Sequence, residues 1–190
     1  MTELCEIAIR YKTDKCPQIR HSYTPFYYEL FKHTKNNIKK VFEMGIGTPT
    51  IMAHSGEGYV VGASLRMWRD FFPNAQIYGA DIQPEAMFED ERIKTFLADQ
   101  SSKEDMERVI SEVGADIDLF IDDGNHYRDK QLDLARIALP LLKKDVIYII
   151  EDVHSSKWMV GELGKSGYEC SVPKLSRVGY RECLIIVRNK

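Results

Sequence analysis

The sequence predicts an α/β fold, a doubly wound and mostly parallel sheet with helices on both faces. Three observations carry this expectation. From residue 40 onward, apolar β-branched runs alternate with amphipathic helical stretches, the pattern of repeated strand–helix units. Two of these runs, Ile117-Asp118-Leu119-Phe120-Ile121 and Val146-Ile147-Tyr148-Ile149-Ile150, stop abruptly at adjacent acids. Strands buried in a parallel sheet read as such runs, and ligands bind beyond their carboxyl ends. Finally, two short strand patterns near the C-terminus, 168–173 and 182–188, lie close together and read as antiparallel. They bring the expected count to seven strands, the last one antiparallel.

Taken in order, the first forty residues read as helical, interrupted by a polar, aromatic-rich connection from Thr13 to Tyr23. The next helix is expected to start near Thr24-Pro25, a cap residue followed by proline at the first helical position. The first strand is Lys40 to Ile46. Ala63 to Phe72 is a helix that turns Leu65, Trp68, Phe71 and Phe72 inward. Trp68, at helical spacing, is read as core. Strands follow at Gln76–Ile82 and Ile93–Ala98, then a helix at Lys103–Val113 with Ser102 as N-cap and Gly114 past its end. Ile117–Asp122 is the fourth strand, Tyr127–Leu142 a helix, Val146–Ile150 the fifth strand and Ser156–Lys165 the last helix.

With 190 residues, 44% of them hydrophobic, and a formal charge of -3, the chain suits one globular domain spanning residues 1–190. It carries no electrostatic footprint for nucleic acid. No apolar stretch is long enough to span a bilayer, and no charged-then-apolar leader opens the sequence. Cys5, Cys16, Cys170 and Cys183 show no Cys-x-x-Cys spacing, so a zinc site is not expected and all four read as reduced thiols. The expected address is the cytoplasm.

The chemistry gathers at strand ends. Glu43-Met44-Gly45-Ile46-Gly47 closes the first strand, and glycines there allow close backbone approach to a ligand. Thr50 stands where the third glycine of a dinucleotide fingerprint belongs. Glu43 would repel a pyrophosphate and welcome a sulfonium or ammonium group. Asp81 ends the second strand, either as acceptor for ribose hydroxyls or as a cap for the segment after it. Asp99-Gln100 ends the third, facing an adenine edge or capping a turn. If the fourth and fifth strands are neighbours, Asp122, Asp123, Glu151 and Asp152 converge. So much negative charge is costly beside a sheet unless something cationic joins it. His126, three residues past Asp123, reaches the same space as a general base or caps its helix. The break from Thr48 to Gly62 is long enough to be a lid or binding loop, which would put Met52, His54 and Tyr59 near substrate. His154 is either a supporting group for the acids or a loop residue.

Acid plus glycines, then an acid, then Asp-Gln, then Asp-Asp-Gly: together these strand ends resemble the class I S-adenosylmethionine-dependent methyltransferases, over essentially the whole chain. His21-Ser22-Tyr23-Thr24-Pro25, Gly62-Ala63-Ser64-Leu65-Arg66-Met67-Trp68, Ile121-Asp122-Asp123-Gly124-Asn125-His126 and Glu151-Asp152 look like the metal-dependent sugar O-methyltransferases of macrolide biosynthesis, the mycinamicin and tylosin type. The resemblance implies a three-layer Rossmann-like methyltransferase fold with S-adenosylmethionine and Mg2+ as cofactors. It implies metal ligation by Asp123, Glu151 and Asp152, with His126 as general base. Glu43 and Gly45 would line the methionine end, Asp81 the ribose and Asp99-Gln100 the adenine. Gly47, Ser64 and Asp122 complete the cofactor set, and Tyr23 would close over it from a cofactor-covering segment, residues 1–39.

The implied reaction transfers a methyl group to a hydroxyl of a sugar or glycosylated natural product. A catechol, another chelating diol, is the rival acceptor. A nucleotide- or NAD-binding module without transferase activity, or a degenerate family member serving as a binding subunit, is the non-catalytic alternative. The larger macrolide enzymes carry a long further N-terminal domain that this sequence does not show, so the acceptor's identity is not carried over. The chain could pair as a homodimer.

Overall fold

The computed structural model describes residues 1–175 and 183–190. Its centre is one mixed sheet of eight strands in the order β3-β4-β2-β1-β5-β6-β8-β7. The strands are β1 (Lys40–Met44), β2 (Gln76–Asp81), β3 (Glu89–Asp90), β4 (Ile93–Leu97), β5 (Leu119–Asp122), β6 (Ile147–Ile150), β7 (Tyr168–Ser171) and β8 (Ile185–Asn189). β4, β2, β1, β5 and β6 pair in parallel, while β8 runs antiparallel to both β6 and β7. The expected hairpin-like pair is therefore present, although Glu182, the first residue expected in its second strand, lies outside the described residues.

The expected seven strands become eight through β3. This two-residue strand pairs antiparallel with β4 through Glu89 and Asp90. Thr95 supports it, donating its hydroxyl to the Phe88 carbonyl at 2.5 Å and accepting from the Phe88 N–H at 2.8 Å. Two exposed acids carry no apolar alternation, so periodicity cannot reveal such a strand.

Alternation along the central strands divides the core in two. Val41 on β1, Leu119 and Ile121 on β5 and Ile149 on β6 face one layer. That layer is built from α1 (Glu3–Tyr11), α2 (Tyr23–Phe31) and α3 (Ala63–Phe71), with Leu4, Tyr27, Trp68 and Phe71 fully buried. Phe42, Phe120 and Tyr148, one residue out of phase, face the other side and stack ring on ring across β1, β5 and β6 at 4.7 and 4.8 Å. They pack under α4 (Lys103–Val113), α5 (Arg128–Ala138) and α6 (Ser156–Lys165). Burying apolar faces against both sides of a parallel sheet is what demands near-continuous hydrophobic strands.

Local chemistry sets the helix boundaries. Thr2 caps α1 by accepting from the Cys5 N–H, and Ser102 caps α4 by accepting from the Asp105 N–H, both at 3.2 Å. α2 starts at Tyr23, two residues before the expected first helical residue Pro25, with Ser22 rather than Thr24 at the N-cap position and no side-chain cap bond. Pro25 falls inside the first turn, where a missing N–H costs nothing. α5 stops at Ala138, short of the expected Leu142, and passes into a 3-10 turn at Leu139–Leu141. Pro140 within that turn cannot donate to a continued α-helix. All four cysteines are free.

The ends of the three central strands are level. Met44, Asp122 and Ile150 are partners across β1, β5 and β6. The ladder carries on beyond them, with the Asp123 N–H donating to the Met44 carbonyl and the Glu151 N–H to the Asp122 carbonyl, both at 2.9 Å. Gly45, Asp123 and Glu151 consequently leave the sheet side by side. Gly45 adopts φ +91, and a Cβ placed on it would collide with the Asp123 carbonyl. Gly45→Ala should therefore destabilise the fold by about 3 kcal/mol or more, from backbone strain and the collision together. Denaturant midpoints of the two proteins test this, and a loss under about 1 kcal/mol would contradict the tight contact between these strand ends.

Candidate active site

The order of strands reverses between β1 and β5, since the chain moves from β1 outward to β2 and β4 and then returns to the other side. Ligands of open α/β sheets bind outside the carboxyl ends at such a point. A cavity of about 400 Å³ lies there. The strand ends form its floor. The connection from Thr13 to Tyr23 and the loop holding Met52, His54 and Tyr59 form its walls.

Tyr23, Gly45, Gly47, Ser64, Asp81, Asp99, Gln100, Asp123, His126, Glu151 and Asp152 all line this one cavity. Glu43 and Asp122 do not. Both are fully buried behind it, because a side chain that alternates into the sheet layers cannot also project past the strand end. Glu43 accepts from the Trp68 indole N–H at 2.8 Å, which adds a polar role to the core position expected for Trp68. Asp122 accepts a 3.4 Å contact from the Gly124 N–H, and its other oxygen has no hydrogen-bond partner among the described residues. Burial pushes its carboxyl up to about 8, which favours the neutral form. His154 is exposed and lies outside the cavity.

On the β2 and β4 side, Asp81 accepts from the Ile46 and Gly47 N–H groups at 2.9 and 3.0 Å through one oxygen. It accepts from the Gln83 N–H at 2.9 Å through the other. It ties the glycine turn to β2 and still faces the cavity with free lone pairs. Asp99 caps its own turn by accepting from the Ser101 N–H at 2.8 Å. The Gln100 side-chain carbonyl accepts from the Asn125 N–H at 2.6 Å, while its amide nitrogen is buried with no partner among the described residues. An unpartnered donor at a cavity wall is costly unless a guest accepts from it.

On the β5 and β6 side, Asp123, His126 and Asp152 each present one ligand atom, all within 4.8 Å of one another. His126 lies with Nε2 3.4 Å from Asp123 and Nδ1 3.4 Å from Asp152. Asp152 has φ 53, a left-handed conformation uncommon for a residue with a side chain. Tyr23 holds it there, donating its hydroxyl to one Asp152 oxygen while accepting from the Asp152 N–H at 3.3 Å. His21 stacks on Tyr23 with centroids 5.0 Å apart. Two carboxylates and an imidazole at this spacing fit a hard divalent cation that keeps open positions for other ligands. Glu151 does not join the group, because one of its oxygens accepts from the Tyr27 hydroxyl at 2.6 Å and the other from Lys15.

Lys15 is the functional residue the sequence reading missed. It is 1% exposed, and its ammonium lies 2.5 Å from Asp123, 3.1 Å from Glu43 and in contact with Glu151. Burial alone would lower its pKa, but Asp123, Glu151 and Glu43 together raise it well above the ordinary value, so it remains charged. The signal was indirect. Acids at three neighbouring strand ends require a cation, and the Thr13–Tyr23 connection supplies one.

The electrostatics of His126 follow from the same acids. Burial would push the imidazole down. The carboxylate of Asp123 beside the ring, with Asp152 and Asp122 behind, outweighs burial and raises it to about 9.

A mixed α/β sheet with this strand order and a ligand cleft at its switch point is the fold of the class I S-adenosylmethionine-dependent methyltransferases. The solved structure of the MycE methyltransferase from the mycinamycin biosynthetic pathway, in complex with Mg and SAH, superposes with a TM-score of 0.77 at 26% identity. The match covers 100% of this chain and 55% of that one. Within the class, the chain is similar to the mycinamicin VI 2''-O-methyltransferase of Micromonospora griseorubida, 34% identical over 156 residues, 82% of this chain and 37% of the relative. It is also similar to the demethylmacrocin O-methyltransferase of Streptomyces fradiae, at 33% over 156 residues, 82% of this chain and 38% of the relative. A third relative is a tetracenomycin rhamnosyl 3'-O-methyltransferase of Streptomyces olivaceus, 33% identical over 151 residues, 80% of this chain and 37% of the relative. The chain thus spans less than half the length of these curated relatives. No protein-family model matches it. Among the described residues, no helix is long and apolar enough to cross a membrane.

The environment of His126 yields a measurable expectation. In metal-free protein its NMR titration should fall near pH 9, well above the ordinary imidazole value of about 6.5. Saturating Mg2+ should lower it by more than one unit, since a cation between Asp123 and Asp152 cancels their hold on the imidazolium. A midpoint near 6.5 that ignores Mg2+ would show that these acids do not act on the ring.

Proposed function

We propose that this protein is an S-adenosylmethionine-dependent O-methyltransferase, assisted by Mg2+ or a similar hard cation, that acts on a hydroxyl of a sugar or glycosylated natural product. One observation carries the reading. A single cavity joins the glycine turn and the unpartnered Gln100 amide at one end to the Asp123–His126–Asp152 group at the other. The similarity to sugar O-methyltransferases supports a sugar-like acceptor over a catechol. The proposal treats residues 1–190 as one methyltransferase domain whose first 39 residues cover the cofactor. A cytoplasmic address and pairing of two chains stay with the reading.

In this reading Gly45, Gly47 and Ser64 border the methionine end, Asp81 faces the ribose, and Asp99 and Gln100 border the adenine. Tyr23 closes the cleft. When bound, S-adenosylmethionine supplies a methyl carbon activated by its sulfonium, and the dication supplies positive charge that eases ionisation of a nearby hydroxyl. Asp123 and Asp152 would hold the ion beside the acceptor's hydroxyls. His126 accepts the hydroxyl proton at a ring nitrogen. Glu43 and Asp122 act from behind, through Lys15 and through the strand ends. Most of the acceleration comes from alignment and pre-set charge.

Methyl transfer from radiolabelled S-adenosylmethionine, assayed with glycosides and catechols in parallel, tests the reading. Label should enter glycosides, and excess chelator should cut turnover by more than about 100-fold. Asp123→Ala should lose metal-dependent turnover yet bind S-adenosylhomocysteine within a few-fold of native. His126→Ala should slow transfer by about 100-fold or more. Full turnover in chelator refutes the metal role, and an unchanged His126→Ala rate removes the base.

A further inference from the structure

The imidazole of His21 lines the cavity and takes no part in the chemistry above. His21 is 7% exposed, yet its Nδ1 has no hydrogen-bond partner among the described residues. Asp152 Oδ1 lies 3.8 Å from Nδ1, and Asp14 Oδ2 lies 3.7 Å from Nε2. Both gaps are too long for a hydrogen bond. The ring therefore stands between two carboxylates and bonds to neither, which is unfavourable at that depth unless a guest meets it.

Two contacts fix the ring in this attitude. The His21 N–H donates to the Asp14 carbonyl at 2.8 Å, and the imidazole stacks on Tyr23 with centroids 5.0 Å apart and planes 6° from parallel. Asp14 is held in turn from the loop after β1, by His54 Nε2 at 2.9 Å, with Arg20 at 4.0 Å. A carboxylate has more lone pairs than His54 takes, and Asp14 also lines the cavity.

A sugar hydroxyl both donates and accepts. One hydroxyl can thus serve the imidazole and Asp14 together, where neither reaches the other. The pair lies beside Asp152, a member of the cation cradle, so a sugar with its reacting hydroxyl at the cradle presents a further hydroxyl here. We propose that His21 and Asp14 form an acceptor subsite, an imidazole–carboxylate pair that binds a sugar hydroxyl other than the one methylated and so helps select which hydroxyl reaches His126. The inference rests on the sugar reading above and deepens it.

Binding of methyl glycosides to the full chain, loaded with S-adenosylhomocysteine and Mg2+ and followed by NMR titration, tests this apart from turnover. The methyl glycosides of glucose, galactose, mannose and rhamnose are compared, and the tightest binder is then set against its monodeoxy forms. Native protein should bind the form lacking the contacted hydroxyl at least about tenfold more weakly. His21→Phe keeps a stacked ring and removes its nitrogens. It should bind the parent glycoside at least about tenfold more weakly than native and no longer distinguish it from that deoxy form. His21→Asn, which returns a polar atom near the Nδ1 position, should recover at least about threefold of the loss. If His21→Phe binds every glycoside as native does, or weakens parent and all deoxy forms alike, the proposal is overturned while the sugar reading stands. A matching loss of S-adenosylhomocysteine affinity in both variants would assign His21 to the fold and overturn it as well. If native protein binds none of the four glycosides, the sugar reading and this subsite fall together.

Discussion

Three carboxylates gathered around one ammonium form the constraint on which the rest of this structure depends. Glu43, buried within β1, and Asp123 and Glu151, just past the ends of β5 and β6, all lie within ion-pair distance of Lys15. Desolvating one charge costs several kcal/mol, and removing one member of a buried pair typically costs about 3–5 kcal/mol. The cluster is tolerable only when complete, so the segment carrying Lys15 closes over the sheet at these strand ends. The site and the fold are consequently one assembly. The residues bordering the cavity also fasten the N-terminal segment to the sheet.

That coupling extends outward through neutral groups. The Tyr27 hydroxyl completes Glu151 and the Trp68 indole completes Glu43, and the two rings meet edge to face at 4.9 Å within the apolar layer. Tyr23 does the same for Asp152, whose left-handed backbone turns its carboxylate toward His126. Each of these acids is thus aimed by an aromatic residue whose ring is core and whose polar tip meets the carboxylate. Such residues make a site rigid because their apolar bodies are locked by packing.

The backbone contributes as much as the side chains. Gly45 lets the glycine turn lie against the Asp123 carbonyl, and Asp81 pins that turn by accepting from two of its N–H groups. Both readings of Asp81, as cap and as a ligand-facing acid, are compatible because a carboxylate offers more lone pairs than the turn consumes. A bound nucleoside would meet a wall already organised by the protein's own hydrogen bonds, which lowers the cost of ordering it.

The doubly wound sheet, the parallel pairing of its central strands and the antiparallel ending were legible in the sequence. Periodicity and apolar runs record burial directly, as Leu119–Ile121 and Ile147–Ile150 show. Acids and glycines placed at strand ends likewise marked the cleft, because in a parallel sheet the ends of strands share one edge. β3 was not legible, since two exposed acids carry no pattern, and the start of α2 was misplaced by two residues because a backbone carbonyl rather than a side chain completes it. The direction in which each acid points was decided only in three dimensions. Sequence alone grouped Asp122, Asp123, Glu151 and Asp152 as equals. The tertiary structure buries Asp122, turns Glu151 to Lys15 and Tyr27, shares Asp123 between Lys15 and His126 and sets Asp152 beside His126. One residue of offset along a strand selects a side chain's face, and the lysine that divides the acids is more than a hundred residues away from the two that matter most.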